Sequence, residues 1–193
     1  MFTRLVEASG QFQLEVSADR GRLENLSGFD AVALYIGGGE LSPVQEKGIT
    51  GFVRKCGGLL GGHVANAGLV QYKEYTEMIG SEFIGHDPLA PFEVETVAGI
   101  DEALPRLSKT FRIADECYNL KIHTEAPLRY FQHGHWRLDL KPLGYLRDYG
   151  EGLVCYTALG HDKRAFGNSD FQDQLLKGLR YVCRMKDAGS IRI

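Results

Sequence analysis

Two short apolar runs, each closed by a turn, organise the first part of the hydrophobic pattern. Residues 31–36 are continuously apolar, which is typical of a strand covered on both faces in a parallel sheet. Residues 57–62 form a second such run that ends in a glycine pair. Between them, Ser42 is placed to cap a helix, with Pro43 at its first position and Gln45 completing a capping box. Strand, helix and strand in this order predict a right-handed βαβ unit.

Alternation with period two predicts further strands with one solvated face, at residues 12–16 and 92–97. Two more apolar segments, 143–146 and 153–158, flank a glycine-containing turn that indicates a β-hairpin. The predicted strands alternate with helical segments, so the pattern indicates an α/β fold.

Helical spacing marks three further segments: residues 2–8, a stretch around 69–80, and a last helix that is expected to begin at Ser169. For this helix the sequence predicts a capping box from Ser169 to Gln172. Its buried face is expected to carry four apolar residues, Phe171, Leu175, Leu179 and Val182.

Composition narrows the class of protein. The 193 residues are 44% hydrophobic and 24% charged, which is ordinary for a globular protein and predicts one domain over residues 1–193. The net charge is −3 and the basic residues are scattered, so we expect no nucleic-acid partner. No stretch approaches the roughly 18 apolar residues of a membrane helix, and no secretory leader is evident. We therefore expect a cytoplasmic protein without a membrane partner.

The four cysteines, at positions 56, 117, 155 and 183, form no C-x-x-C pair, which argues against a zinc knuckle or a disulfide framework. Cys117 is the best placed of them to serve as a nucleophile. A free cysteine most often packs as a small apolar group, and we expect this for Cys117 as well.

Candidate chemistry lies at two strand ends, because the apolar runs 57–62 and 153–159 are each closed by a glycine that is followed by histidine. These pairs are Gly62-His63 and Gly160-His161. In an open α/β sheet, ligands bind at the carboxyl ends of strands. The repeated pair therefore predicts that both imidazoles share one site.

Two interpretations of this site stay open at the level of sequence. Two or three imidazoles with one carboxylate are a familiar ligand set for zinc or iron, and His63, His161 and Glu116 are the candidates. Without metal, a histidine moves protons while a carboxylate fixes its tautomer.

Structural roles compete with both interpretations of the site: Asp115 and Glu116 are also suited to capping a turn. His86 can simply close a loop, and His133 and His135 are expected in a surface loop.

The order of several short motifs resembles the trehalose-utilisation (ThuA-like) family over roughly residues 25–183. The motifs are Phe29-Asp30 before its strand, Gly37-Gly38, the capped helix, Gly61-Gly62-His63, Gly85-His86-Asp87-Pro88, Asp115-Glu116-Cys117-Tyr118-Asn119, Tyr149-Gly150-Glu151-Gly152 and Thr157-Ala158-Leu159-Gly160-His161-Asp162. The resemblance implies a flavodoxin-like three-layer α/β/α sandwich with a mostly parallel sheet, as in class I glutamine amidotransferases. Family members usually open with a β-strand, whereas this chain begins close to the first helix, so either an internal start or a differently built sheet is expected.

Glutaminase activity is not expected, although the family is similar to these amidotransferases. Their catalytic cysteine stands in the turn where this chain has His63, and their late strand ends in His-Pro-Glu. Here His161 is followed by Asp162-Lys163, so the glutamate is absent as well.

The resemblance implies a role in carbohydrate metabolism, on a small sugar or keto-sugar. His63 and His161 would handle protons or hold a ligand, and Glu116 and Asp162 would orient them. The substrate would contact four further residues, His86, Tyr118, Asn119 and Gly38. Three options stay open beside this: a non-catalytic binding or accessory domain, a metal-dependent enzyme with zinc, and assembly into a homo-oligomer.

Overall fold

The computed structural model describes residues 1–36, 38–123 and 127–185, and Gly37 of the predicted turn lies outside these ranges. The helices are α1 (Phe2–Ser9), α2 (Pro43–Arg54), α3 (Lys73–Ile79), α4 (Lys163–Phe166) and α5 (Ser169–Val182), with 3-10 turns at Arg20–Glu24 and His63–Asn66. The strands are β1 (Ala31–Leu34), β2 (Gly58–Gly62), β3 (Ser81–His86), β4 (Ala90–Thr96), β5 (Thr110–Asp115), β6 (Tyr118–Ile122), β7 (Arg129–Trp136), β8 (Asp139–Tyr149) and β9 (Gly152–Thr157).

Seven strands form a mixed sheet in the order β1-β2-β9-β8-β7-β4-β5, and β3 pairs with β6 in a separate two-stranded sheet. Only β1, β2 and β9 are mutually parallel, and every other neighbouring pair is antiparallel. The expectation of a mostly parallel sheet is therefore wrong. Short turns join β7 to β8 and β8 to β9, and a short turn can connect only antiparallel strands. The flavodoxin-like three-layer arrangement stays a prediction.

The parallel end of the sheet follows the sequence pattern closely. The Ser42 side chain accepts from the Gln45 amide and the Gln45 side chain accepts from the Ser42 amide, so the capping box of α2 is confirmed. Helix α2 then leads from β1 into β2, which pair in parallel. The predicted hairpin is also confirmed, with Tyr149 opposite Gly152.

Three local predictions are wrong. Residues 12–16 form no strand, because no described strand pairs with them, and Leu14 and Val16 stay exposed. His133 and His135 lie within β7 rather than in a loop, on a ribbon with one solvated face. Helix α5 is capped one residue earlier than expected, since the Asn168 side chain accepts from the amides of Asp170 and Phe171. Its four predicted apolar residues are buried as expected.

The sheet curls so strongly that its far edge returns to the parallel end. Three strands, β8, β7 and β4, separate β5 from β9 along the sheet, yet β5 packs against α4, which follows β9 in the chain. The Asn168 side chain also donates to the carbonyl oxygen of Arg112 in β5 at 2.8 Å. Residues at the end of β5 are thereby brought beside those that follow β2 and β9. No helix in the described part of the chain is long and apolar enough to cross a membrane.

Candidate functional site

His63 begins the 3-10 turn that follows β2, and its backbone is left-handed, with φ of 45°. This conformation is strained for a residue other than glycine, so the surroundings must hold it. The Tyr156 hydroxyl donates to the His63 carbonyl oxygen at 2.9 Å, and the Tyr75 hydroxyl donates to the Ala65 carbonyl oxygen at 2.8 Å. Buried tyrosines therefore fix the turn that aims the imidazole.

The ring of Tyr35, just after β1, explains why each histidine follows a glycine. A Cβ on Gly62 would lie 2.0 Å from Tyr35 Cζ, and one on Gly160 would lie 3.2 Å from Tyr35 Cε1. Gly160 also has a φ of 120°, which side chains rarely adopt. The Tyr35 hydroxyl is buried without a hydrogen-bond partner among the described residues. Sequence reasoning missed Tyr35, and its only signal was an aromatic residue at the carboxyl end of an apolar strand.

The ring of His63 is held in one tautomer. Nδ1 lies 2.7 Å from the carbonyl oxygen of Ala158, which can only accept, so Nδ1 carries the proton when the ring is neutral. Nε2 then presents a lone pair, to which the Tyr118 hydroxyl donates at 2.8 Å. Burial lowers the pKa of His63, although the bond to Ala158 opposes this shift. The ring is therefore neutral at physiological pH.

Three donor atoms from distant parts of the chain converge at this point. His161 Nδ1 lies 3.3 Å from His63 Nε2 and 3.1 Å from Glu116 Oε2, and the same carboxylate oxygen lies 3.4 Å from His63 Nε2. The structure thus brings together both predicted histidines and one predicted carboxylate. The side chains of His63 and Glu116 are 5% and 13% exposed, but that of His161 is 40% exposed, so the cluster opens to solvent on the His161 side.

Asp115 ties the strand ends that carry this cluster. It is fully buried, and its carboxylate accepts from the amides of Gly160 at 2.7 Å, His161 at 3.2 Å and Glu116 at 2.8 Å. Burial raises the pKa of Asp115, and these amide hydrogen bonds oppose the shift by stabilising the charged form. The sequence suggested that this residue caps a turn, and here it joins the end of β5 to the turn after β9.

The two-stranded sheet of β3 and β6 provides one wall of the site. His86 Nε2, at the end of β3, lies 3.7 Å from the second oxygen of Glu116, and the His86 side chain is 41% exposed. Tyr118 opens β6 and packs on Phe83, with ring centroids 4.5 Å apart. The side-chain oxygen of Asn119 accepts from Lys141 at 2.7 Å. His86 and Tyr118 thus lie at the cluster, while Asn119 is engaged with Lys141.

Two predicted site residues are not joined to the cluster. The Asp162 carboxylate caps α4 by accepting from the Arg164 amide at 2.8 Å, and it also pairs with the Arg164 guanidinium. This partner lowers the pKa of Asp162 to about 2. The carbonyl oxygen of Gly38 accepts from Arg20. Among the described residues, no hydrogen bond or ion pair connects Asp162 or Gly38 with His63.

Cys117 has the environment of a packed thiol. The side chain of Cys117 is buried, and burial raises the pKa of the thiol to about 12. Since the thiolate is the nucleophilic form, burial disfavours reactivity at this position.

The fold and the site define an α/β protein with a cluster of two imidazoles and one carboxylate where strand ends meet. The chain belongs to the ThuA family, described as trehalose utilisation, whose sequence model matches residues 1–182. No curated protein sequence matches the chain.

Solved structures of low sequence identity share the fold. A ThuA-like protein from Parabacteroides merdae superposes with a TM-score of 0.84 at 16% identity, covering 98% of this chain and 85% of the other. A ThuA-like protein from Bacteroides uniformis has a TM-score of 0.79 at 15% identity, covering 98% and 84%. Part of a β-galactosidase from a Rahnella species has a TM-score of 0.62 at 16% identity, covering 84% of this chain and 24% of the enzyme.

Proposed function

We propose that this protein is an enzyme of carbohydrate metabolism that acts on a small sugar or keto-sugar at His63, Glu116 and His161. The observation that carries the proposal is the convergence of the three donor atoms within 3.1–3.4 Å of one another, with His161 open to solvent. The carbohydrate class comes from the family, which is described as trehalose utilisation. A cytoplasmic location and a homo-oligomeric state belong to the same proposal.

The arrangement suits proton transfer at a hydroxyl group or at the carbon beside a keto-sugar carbonyl. Glu116 and the imidazoles lie close together, and carboxylate and imidazole side chains are common general acids and bases. The sugar isomerises through an enediol when a proton leaves the hydroxyl-bearing carbon and returns to the former carbonyl carbon, while the hydroxyl proton passes to the former carbonyl oxygen. This reaction consumes no other reactant.

Ligand binding tests the proposal most directly. Thermal unfolding of the purified full chain is measured with trehalose, glucose and keto-sugars derived from them. We expect a keto-sugar to raise the melting temperature of the natural protein, and Glu116→Gln and His161→Ala to abolish this shift. His135→Ala is the matched control, because His135 also pairs with a glutamate, Glu95, outside the site. Ligand-induced stabilisation that survives both site variants would contradict the proposal.

A second candidate function, a non-catalytic binding or accessory domain, is favoured by the occupied positions around the cluster, since Asn119 and Asp162 already have protein partners. Turnover separates the two candidates. In deuterated water, proton transfer next to the carbonyl introduces deuterium into the keto-sugar, which proton NMR detects. We expect incorporation with the natural protein and with Asp162→Asn, and none with Glu116→Gln. Binding without any incorporation would assign the accessory role.

A further inference from the structure

We infer that His63 Nε2, His161 Nδ1 and Glu116 Oε2 form a binding site for a divalent transition-metal ion, with zinc as the ion that the donors suit best. The inference rests on the site of the proposed function and assigns these residues as ligands. Two imidazole nitrogens, one carboxylate oxygen and an open position are a known set for catalytic zinc.

The spacing of the donors fits an ion at their centre. Zinc lies about 2.0–2.1 Å from imidazole nitrogens and carboxylate oxygens, and the edges of a tetrahedron with that radius are about 3.3 Å long. The three observed separations are 3.1, 3.3 and 3.4 Å. The three ligand atoms therefore need little movement to bind the ion.

The surroundings also prepare the donors for a metal. The Ala158 carbonyl oxygen holds the proton of His63 on Nδ1, which leaves the Nε2 lone pair directed at the cluster. A carbonyl partner on the other ring nitrogen is the usual companion of a metal-bound histidine. His86 approaches the second oxygen of Glu116 at 3.7 Å, and Asp115 holds the His161 amide. His63 thus already has the supporting contact typical of a metal ligand, and Asp115 fixes the backbone that carries His161.

Tyr118 sets a condition on metal binding. Its hydroxyl donates to His63 Nε2 at 2.8 Å, which is the lone pair that the ion needs. This hydrogen bond must therefore break when the metal binds, and the freed hydroxyl can then donate to a solvent molecule on the metal. A keto-sugar oxygen would replace that solvent, and the ion would stabilise the negative charge that develops on it. Proton transfer then falls to His86, the exposed imidazole beside Glu116.

Cobalt and zinc binding test the site without any sugar. The full chain is freed of metal with a chelator and titrated with Co²⁺, whose visible absorption reports coordination by protein ligands, and then with Zn²⁺ in competition. We expect one equivalent to bind to the natural protein. Glu116→Gln and His161→Ala each remove a ligand, so we expect more than about a 100-fold loss of affinity, beyond the 10–100-fold that outer-shell changes cost. His135→Ala should bind as the natural protein does.

The outcomes are distinct from those of the sugar experiments. The inference is overturned if the natural protein shows no cobalt absorption, or if Glu116→Gln and His161→Ala bind as tightly as His135→Ala. If chelated protein retains deuterium exchange into a keto-sugar at the full rate, the ion has no part in the reaction; that result would overturn its catalytic role and leave the proposed function standing. Stoichiometric metal binding without any sugar binding would support the metal site and contradict the proposed function.

Discussion

At the scale of single residues, His63 combines a strained backbone with a ring that burial keeps neutral. Both properties make it a fixed donor of one lone pair, because Ala158 holds Nδ1 and neighbouring tyrosines hold the turn. The sequence indicated the residue through the Gly-His pair, but not the reason for its orientation. That reason lies in carbonyl and hydroxyl groups that are distant in the chain.

The lowered pKa of His63 predicts how stability depends on pH. In the unfolded chain His63 takes up a proton below its ordinary pKa of about 6.5, while in the native protein the ring stays neutral to lower pH. The unfolded state then binds more protons, so this group makes the free energy of unfolding rise with pH over the range below about 6.5. Urea unfolding of chelated protein across this range measures the slope.

His63→Asn supplies the comparison, because asparagine tolerates the left-handed backbone and does not titrate. We expect a flatter pH dependence in this variant than in the natural protein. Asp115 acts in the opposite sense, since its raised pKa stabilises the native state at low pH and this contribution is lost as pH rises. The test is therefore the difference between variant and natural protein. Equal slopes would mean that His63 titrates normally in the native state.

Asp162 shows how sequence proximity misleads at this scale. It follows His161 directly, yet Arg164, two residues further on, draws the carboxylate into the cap of α4. The neighbour that matters to His161 is Asp115, which is remote in sequence.

At the scale of elements, the end of β1 and the glycines that close β2 and β9 form one packed unit through Tyr35. Gly62→Ala should destabilise the protein by about 1–3 kcal/mol, because the new methyl group would overlap the Tyr35 ring. Gly51→Ala in α2 is the matched control: nothing lies within 4 Å of its added Cβ, and alanine favours a helix by roughly 0.5–1 kcal/mol.

A double substitution checks the cause of this loss. If overlap with Tyr35 is responsible, Tyr35→Ala in the Gly62→Ala background should cost less than Tyr35→Ala alone, as measured by denaturant unfolding. Additive effects would instead place the strain elsewhere in the turn. The free energies of unfolding of the single and double Gly62→Ala variants are compared with that of Gly51→Ala, which should be unchanged or higher than that of the natural protein.

Elements that depend on contacts between nearby residues were predictable from the sequence, and strands that depend on pairing with a distant strand were not. The capping box of Ser42 and the apolar face of α5 depend on contacts within a few residues, so the sequence displays them directly. Residues 12–16 alternate as a strand does, but a strand exists only when another pairs with it. β7 is the reverse case: its polar sequence resembled a loop, although β4 and β8 pair with it on both sides.

At the scale of the whole molecule, the curl of the sheet builds the site. His63 and His161 follow strands of the parallel end, and the sequence predicted that they meet. Glu116 follows β5, at the opposite edge of the sheet, and reaches them only because antiparallel strands bend that edge around. Glu116 was predicted for the same site, but twist and curl depend on how several strands stack, so no local pattern showed how this edge closes onto the histidines.

Asp115 should be the residue that keeps the curled edge in place. Asp115→Asn replaces one acceptor oxygen with an NH₂ group that faces the backbone amides of Gly160 or His161. Leaving a buried partner unpaired costs about 1–3 kcal/mol, and we expect a loss of stability of this size. We also expect about a 10–100-fold loss of cobalt affinity.

The matched control, Asp162→Asn, changes the same residue type beside the site, and asparagine caps helices as well as aspartate does. NMR spectra of the histidine rings separate positioning from a general loss of stability. In folded Asp115→Asn the His161 signals should move toward those of a free imidazole, while those of His135 stay. Unchanged His161 signals would show that Asp115 supports only stability.

One consequence of the curl concerns amide exchange with solvent. An edge strand has one unpaired side, so β5 should open more readily than the central β2 and β9. An ion bound by Glu116 and both imidazoles would cross-link the edge strand β5 to the inner strands β2 and β9. Loading the protein should then slow exchange in β5 far more than in β2, so exchange in this edge strand would report occupancy.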